Sequence, residues 1–265
     1  MDMRPTEIQA ILQAYGIVLT KAKGQNFLID DAVADREVEL LNVSSADRVL
    51  EIGPGLGMLT ERLLDLSDKL TCIELDVKLC AYLKDKFDDR FALVQADALE
   101  IDLPPFDRFI SNLPYSISSP LLFKILDQQF ERGIIMVQKE FAERLVAKAG
   151  SDDYSRLSVN AYYRARCEIL GDVSRGKFWP QPDVDSYIVL LEPRPAPFQV
   201  KNERFYFTLV NALFQHRRKK ISSVLKMTGL APKAALPSLP HMDDRVEVLS
   251  PEEIGLLADD ILAAR

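Results

Sequence analysis

The chain has 265 residues, of which 48% are hydrophobic and 28% charged, and its formal net charge is −7. This length accommodates one large domain and a small one, the composition is that of an ordinary soluble protein, and no apolar run approaches the ~20 residues that span a bilayer. The N-terminus lacks the basic and apolar regions of a signal peptide, and three scattered cysteines with two histidines argue against a disulfide framework and a zinc site. We therefore expect a cytoplasmic protein with reduced thiols and no bound metal.

The basic residues are distributed unevenly along the chain. Seven of them lie between Phe198 and Lys226, where Glu203 is the single acid, so this stretch carries +6 and the remainder −13. Four of the seven are consecutive: Arg217, Arg218, Lys219 and Lys220. A basic stripe on an acidic body is typical of a nucleic-acid interface confined to one face. A solvated helix face would have the same composition, and charge alone does not separate the two interpretations.

Helical and strand-like patterns alternate through the first part of the chain. Apolar residues at helical spacing predict a helix that includes Ile8 and Tyr15, and Asp30 is placed to cap a second helix over about 31–42. Strand patterns then alternate with helical patterns five times, which predicts a parallel sheet with helices on both faces. The predicted strands cover residues 48–53, 69–76, 91–97, 108–112 and 133–138.

Two further strands, 165–173 and 185–193, have no helix between them and predict an antiparallel edge to the sheet. The expected fold class is therefore α/β, with a Rossmann-like, mostly parallel sheet of seven strands. A proline-rich linker follows, and every later pattern is helical, including a last helix that opens with a capping box at Ser250. We predict two domains, an α/β domain over 1–196 and a small all-helical domain over 197–265.

The turn after the first strand of the sheet is rich in glycine. It reads GPGLG over 53–57, where Gly53 and Gly55 allow a sharp bend and the close approach of a ligand. The dinucleotide fingerprint has its third glycine one position later, where this chain has Met58. This departure disfavours a nicotinamide dinucleotide and suits S-adenosylmethionine, a sulfonium cofactor without a pyrophosphate for the helix N-terminus to bind.

Acidic residues close the next two strands. Glu74 follows Gly53 by 21 residues, at a place where a carboxylate accepts hydrogen bonds from ribose hydroxyls, and Asp97 is placed to reach an adenine amino group. Ligands of open α/β sheets bind at the carboxyl ends of the strands, so the three residues together predict one nucleoside site. The alternative interpretation is a set of structural turns with capping acids.

The segment SNLPYS, residues 111–116, follows the fourth strand at the same edge. A proline-stiffened turn is one interpretation. The other is a methyl-acceptor site, in which a side-chain amide oxygen and a backbone carbonyl accept the hydrogens of a ring amine while aromatic rings stack on the base. A base in a duplex reaches such a pocket only when it is flipped out. The residues given these roles are Asn112, Leu113, Pro114, Tyr115 and, on a later proline-braced loop, Phe178. For Phe178 the alternative is a loop anchor packed on the core.

Together these motifs resemble the small-subunit rRNA adenine N6-dimethyltransferases, from about Lys21 to Lys226. The matching stretches are GQNFLID, VLEIGPGLGMLT, CIELD, QADAL, SNLPYSISSP, QKEFAERLVA, YSRLSV, FWPQPDVDS and FQHRRKKI. The resemblance implies S-adenosylmethionine as cofactor, bound by Asn26, Leu28, Gly53, Gly55, Glu74, Asp97 and Asn112. It also implies a target base between Tyr115 and Phe178. The implied substrate is two adjacent adenosines in a hairpin loop near the 3′ end of small-subunit rRNA, each methylated twice during subunit biogenesis by a monomeric enzyme.

Two positions depart from the family pattern. Ser155 stands where many members carry Gly, and Asp183 stands where a Lys is common, which removes a possible phosphate contact. Two alternative functions stay open. One is the related large-subunit rRNA methyltransferase of macrolide resistance, whose members tend to carry Ile in place of Leu113, and the other is a ribosome assembly factor that has lost catalysis. A dehydrogenase is disfavoured by Met58.

Overall fold

The structure is a computed structural model, and it describes residues 2–19, 26–113 and 118–265. Its elements are α1 (Pro5–Ala14), β1 (Phe27–Leu28), α2 (Asp31–Leu41), β2 (Val49–Ile52), α3 (Met58–Leu63), β3 (Leu70–Glu74), α4 (Val77–Phe87), β4 (Ala92–Gln95), β5 (Arg108–Asn112), α5 (Ser118–Leu126), β6 (Arg132–Gln138), α6 (Lys139–Val146), α7 (Arg156–Arg164), β7 (Ala165–Val173), β8 (Phe178–Trp179), β9 (Ser186–Pro193), α8 (Glu203–Gln215), α9 (Ile221–Thr228) and α10 (Pro251–Ala263). The predicted strands and helices of the α/β region all appear within a few residues of their expected bounds.

The large sheet has the strand order β4-β3-β2-β5-β6-β9-β7. The five strands from β4 to β6 are parallel to one another, and β9 runs antiparallel to β6. This confirms the predicted mostly parallel, seven-stranded sheet with an antiparallel edge. The chain winds outward from β2 to β4 and then crosses back to β5 on the other side of β2. The order therefore reverses between β2 and β5, and open α/β sheets bind ligands at such a switch point.

The chain divides into two compact units, one of Met1–Ala142 with Cys167–Pro193 and the other of Glu143–Arg166 with Arg194–Arg265. The chain passes from one unit to the other three times, and the third passage, after Pro193, lies close to the predicted boundary at residue 196. The segment before Arg166, however, groups with the C-terminal helices, so a single boundary does not describe the division. The reason is α7, which packs on α8 and α10 and which the sequence patterns did not predict.

Helix starts follow local side-chain chemistry. The Asp30 side chain accepts a hydrogen bond from the Val33 amide at 3.0 Å, which confirms the predicted cap of α2. The predicted capping box of α10 is also confirmed, because Ser250 and Glu253 each bind the other's backbone amide, at 3.2 Å and 2.7 Å. Ser155 precedes α7, and its amide donates to the Ser158 hydroxyl at 3.0 Å.

Each unit has its own apolar core. In the first unit, α2 packs on α3, β5 and β6. Its buried face contains Ala34, Val38 and Leu41. Glu37 lies on the same face and is fully buried, which is unusual for an unpaired carboxyl. In the second unit, α8 and α9 bury an apolar stripe that comprises Phe205, Leu209, Leu213, Ile221, Val224 and Leu225.

Candidate functional site

The four strand ends predicted to form a nucleoside site are neighbours in the sheet. Because β4, β3, β2 and β5 are adjacent and parallel, the residues that follow or close them lie along one edge. In sheet order these are Asp97, Glu74, Gly53 and Asn112. Gly53 and Asn112 flank the switch point, and the Ser111 hydroxyl joins the two strands there by donating to the Ile52 carbonyl at 2.6 Å.

The glycines of the turn differ in the space that surrounds them. Gly53, Gly55 and Gly57 all have positive φ, at +73°, +57° and +78°, a region that disfavours residues with a Cβ. A Cβ on Gly57 would lie 2.5 Å from the Phe87 ring, so this glycine is required for packing. A Cβ on Gly53 would meet nothing within 4 Å. The space beside Gly53 is therefore open to a ligand.

Two backbone amides fix the Glu74 carboxyl next to this turn. Its Oε2 accepts a hydrogen bond from the Gly55 amide at 3.3 Å, and its Oε1 accepts one from the Asp76 amide at 2.9 Å. Burial raises the pKa of the carboxyl, and these amides oppose the rise. Each oxygen retains acceptor capacity for a ligand hydroxyl. Asp97 is similarly fixed, because its Oδ1 accepts from the Leu99 amide at 2.8 Å.

Asn112 and Leu113 end β5 at the switch point. The Leu113 amide donates to the Met136 carbonyl at 3.0 Å, which fixes the backbone, and the Leu113 side chain is buried. The Asn112 Oδ1 is buried and accepts no hydrogen bond in the described structure. A buried acceptor without a donor is costly, and such an atom is suited to an incoming amine. Pro114 and Tyr115, predicted to complete this site, lie outside the described residues.

A second, two-stranded sheet joins the N-terminal segment to the loop that carries Phe178. β1 and β8 pair antiparallel, with Leu28 opposite Phe178, and the Phe27 ring lies against the glycine turn at Gly55. The Lys177 ammonium group forms an ion pair with Asp30. Asn26 comes directly before β1, so the pairing places the predicted cofactor and base-stacking segments side by side. The Phe178 ring is 5% exposed and packs in the core of the first unit.

Two buried carboxyls near the strand ends were missed by sequence reasoning. Glu51 on β2 accepts hydrogen bonds from the Thr60 hydroxyl at 2.7 Å and the Cys72 thiol at 3.4 Å, and burial raises its pKa to about 7. Glu37 on α2 has its pKa raised by burial to about 8. The sequence signal that could have revealed them is an acidic residue at an otherwise apolar position, within a buried strand for Glu51 and within the apolar stripe of a helix for Glu37.

The four consecutive basic residues differ in their surroundings. The Arg217 guanidinium binds Glu247 at 3.0 Å and donates to the Asp152 carbonyl at 2.7 Å and the Ser151 carbonyl at 3.3 Å. Lys220 is exposed but pairs with Asp243 at 2.9 Å. Arg218 and Lys219 are exposed. Arg217 thus connects separate segments of the second unit by hydrogen bonds, whereas the side chains of Arg218 and Lys219 are exposed to solvent.

The comparisons with known proteins agree with this geometry. The sequence profile described as ribosomal RNA adenine dimethylase matches residues 19–260. The chain belongs to this family. A probable ribosomal RNA small subunit methyltransferase A from Methanosarcina mazei is 43% identical and covers 96% of this chain and 97% of its own length. The protein of the same description from Thermococcus gammatolerans is 42% identical, covering 92% of this chain and 90% of its own.

Solved structures extend the similarity to the three-dimensional level. A dimethyladenosine transferase from Plasmodium falciparum has a TM-score of 0.74 at 28% identity, covering 86% of this chain and 94% of its own. The 23S rRNA methyltransferase ErmE has a TM-score of 0.68, also at 28% identity, covering 89% of this chain and 99% of its own. The family member described here is an S-adenosylmethionine-dependent methyltransferase that acts on ribosomal RNA.

The residues at the strand ends fit this cofactor. The open space at Gly53 admits a ligand to the backbone, and the fixed Glu74 carboxylate provides the acceptors that a ribose requires.

No cluster of metal-binding side chains occurs in the described part of the chain. Across the same residues, no helix combines the length and the apolar character needed to cross a membrane.

Proposed function

We propose that this enzyme transfers methyl groups from S-adenosylmethionine to N6 of two adjacent adenosines in a hairpin loop near the 3′ end of small-subunit rRNA, giving dimethyladenosines. The observation that carries the proposal is the unpaired, buried Oδ1 of Asn112 at the switch point, next to the open Gly53 turn. The choice of small-subunit RNA is supported by relatives of 42–43% identity that bear that description.

The cofactor-binding residues have distinct roles in this proposal. The backbone at Gly53 and Gly55 accommodates the methionine moiety, Glu74 accepts from the ribose hydroxyls, and Asp97 accepts from the adenine amine. Asn26 and Leu28 come from the segment that β1 pairs to β8. When bound, S-adenosylmethionine supplies an electrophilic methyl group on a sulfonium.

The chain's contribution to the chemistry is positioning. The Asn112 Oδ1 and the Leu113 carbonyl accept the two N6 hydrogens, which draws the nitrogen toward tetrahedral geometry and directs its lone pair at the methyl group. The proton leaves a product nitrogen that is already cationic, so no strong general base is required. The backbone of the strand end that carries these acceptors is held by hydrogen bonds to the Met136 and Ile52 carbonyls, which supports a preset position for the Leu113 carbonyl.

The aromatic residues are proposed to hold the flipped adenine. Tyr115 stacks on one face, and Pro114 stiffens the turn that carries it. Phe178 stacks on the other face, which requires its ring to leave part of its present packing against the core. Stacking of this kind contributes ~1–3 kcal/mol per base in single-stranded nucleic-acid binding.

The expected substrate also indicates where the enzyme acts and which of its surfaces contacts RNA. We propose that the enzyme acts as a monomer on the immature small subunit in the cytoplasm, with the basic stripe of the second unit on rRNA phosphates. Among the four consecutive basic residues, the exposed Arg218 and Lys219 are the best placed for phosphate contacts. Lys220 shares its charge with Asp243, and Arg217 is engaged by Glu247.

The deciding experiment is methyl transfer from labelled S-adenosylmethionine to unmethylated small subunits, with large subunits as the control. Products are identified as mono- or dimethyladenine. We expect dimethyladenine in small subunits alone. Label confined to large subunits would instead assign the enzyme to the macrolide-resistance type, and absence of label with intact cofactor binding would make it an assembly factor.

Replacing Asn112 tests the acceptor role directly. Asn112→Ala removes one of the two hydrogen-bond acceptors and should lower the turnover of methyl transfer by ~10²–10³-fold, the effect typical of one such group. A circular-dichroism spectrum that matches the wild type would show that the variant is folded. Turnover within a few-fold of the wild type would contradict the acceptor role.

A further inference from the structure

A buried carboxyl lies directly behind the proposed acceptor. Glu37 on α2 is fully buried, and the Asn112 side chain is its hydrogen-bonding neighbour. Yet neither Glu37 oxygen, nor the Asn112 Oδ1, has a donor in the described structure. The two side chains are thus neighbours whose hydrogen bonding is incomplete. The family chemistry described above makes no use of Glu37.

Among the described residues, no hydrogen bond or ion pair compensates a charge on Glu37. Helix α2 packs mainly on α3, β5 and β6, and Ile134 and Met136 of β6 belong to the same apolar core. The charged group that faces Glu37 is Glu51 on β2, whose negative charge adds to the effect of burial. Of the three other acids of α2, Asp31 and Asp35 pair with Arg62 of α3, and Glu39 is the third.

Two arrangements pair these side chains, and the protonation state of Glu37 favours one or the other. If Glu37 is a neutral acid, its O–H donates to the Asn112 Oδ1, and the amide turns its NH₂ group toward the cleft. If Glu37 is ionised, it accepts from the Asn112 NH₂ group, and Oδ1 turns toward the cleft. The two ends of an amide have nearly the same shape, so packing permits either orientation and the hydrogen bond selects between them.

We propose that Glu37 is a positioning residue that determines which end of the Asn112 amide faces the substrate. This rests on the proposed function, because only an outward Oδ1 accepts a hydrogen from adenine N6. The ionised carboxylate therefore favours the active orientation and the neutral acid the inactive one. Since burial raises the pKa of Glu37 to about 8, both states are populated near neutral pH.

The first test is the pH profile of methyl transfer at saturating cofactor and small subunits. Turnover of the wild type should rise at least about tenfold between pH 6.5 and 8.5, as the carboxyl ionises. Glu37→Gln keeps the side-chain shape and can still bond the amide, but it has no proton to lose, so its profile should lose this rise. Unchanged circular dichroism and cofactor affinity would show that the variant is folded.

Glu51→Gln is the matched control, because it neutralises the buried carboxyl that faces Glu37. It should retain the rise but move it to lower pH, since it removes the negative charge that opposes ionisation of Glu37. A wild-type rise that persists unchanged in Glu37→Gln, or a wild type without any rise, would overturn the proposal.

A second readout does not depend on turnover. In protein labelled with ¹⁵N-asparagine, the Asn112 side-chain NH₂ resonances can be assigned by their loss in Asn112→Ala. They should shift with pH in the wild type and stay in place in Glu37→Gln. Resonances that move equally in both proteins, or in neither, would refute the positioning role. This result is separate from the proposed function, which fails if no methyl group reaches small-subunit rRNA at any pH.

Discussion

At the scale of single residues, the glycines of the 53–57 turn differ in what a side chain would meet. All three described glycines of this turn have positive φ, but Gly53 faces open space and Gly57 faces an aromatic ring. Open space beside a backbone at the carboxyl ends of parallel strands is what a ligand occupies. We therefore expect Gly53 to serve ligand binding and Gly57 to serve packing.

Gly53→Ala should therefore act mainly on the cofactor. The added methyl fills the open space, and we expect the affinity for S-adenosylmethionine, measured by calorimetry, to fall ~10-fold or more, which is ~1.4 kcal/mol. Backbone strain at positive φ should lower stability by ~1 kcal/mol. Gly150→Ala is the control, because Gly150 also has positive φ and no neighbour within 4 Å but lies outside the turn. Equal cofactor affinity in both variants would refute this role of Gly53.

The buried carboxyls belong to the same scale. Glu51 is satisfied by the Thr60 hydroxyl and the Cys72 thiol, so its place in a strand core is explained by its partners. Glu37 has no comparable set of donors in the described structure, and an unpaired buried carboxyl that persists at a functional edge indicates a role.

At the scale of elements, the start of α3 depends on its packing against α4. Gly57 caps α3 in a left-handed conformation, and the ring of Phe87, the last residue of α4, occupies the space where a Cβ would be. The end of the glycine turn therefore packs against α4, and this contact excludes a side chain at Gly57.

Gly57→Ala should destabilise the first unit more than Gly53→Ala does. A Cβ at 2.5 Å from the Phe87 ring forces that ring to move, in addition to the strain of positive φ. We expect a loss of ~2–4 kcal/mol in the free energy of unfolding, measured with denaturant. A loss no larger than that of Gly53→Ala or Gly150→Ala would show that the Phe87 ring yields without cost.

At the scale of the whole molecule, the charge is segregated. The chain is acidic at −7, yet the stripe between Phe198 and Lys226 carries +6. We therefore expect attraction for rRNA phosphates to be strongest at this stripe. Within the stripe, the partners of Arg217 and Lys220 reduce the charge that those two residues offer.

Single replacements should distinguish these basic residues. Arg218→Ala should weaken rRNA binding and reduce the slope of log K against log salt by ~0.7–0.9, the value for one phosphate contact, with an unchanged melting temperature. Lys233→Ala removes one exposed charge from the same unit outside the stripe and should leave the slope unchanged.

Arg217→Ala should behave in the opposite way. It leaves Glu247 and two carbonyls without their donor and should cost ~1–2 kcal/mol of stability. A larger effect of Arg217→Ala than of Arg218→Ala on the salt slope would contradict the division between structural and RNA-binding residues.

The sequence by itself determined the order of strands and helices, the glycine turn, the acids at the strand ends and the family. These follow from local rules, because hydrophobic period, turn residues and caps are properties of neighbouring positions, as Asp30 and Ser250 show. It did not reveal β1 and β8, since strands of two residues have no period to detect, or the grouping of α7 with the C-terminal helices.

Only the tertiary structure decided which polar groups meet. Glu37 and Asn112 are 75 positions apart, and the Arg217 guanidinium finds its carboxylate and carbonyl partners 30 to 66 residues away. Burial and hydrogen bonding between distant residues depend on how the elements pack, and no local pattern in the chain encodes that. The candidate site residues were thus predicted from the sequence, whereas the contact between Glu37 and Asn112 is created only by the fold.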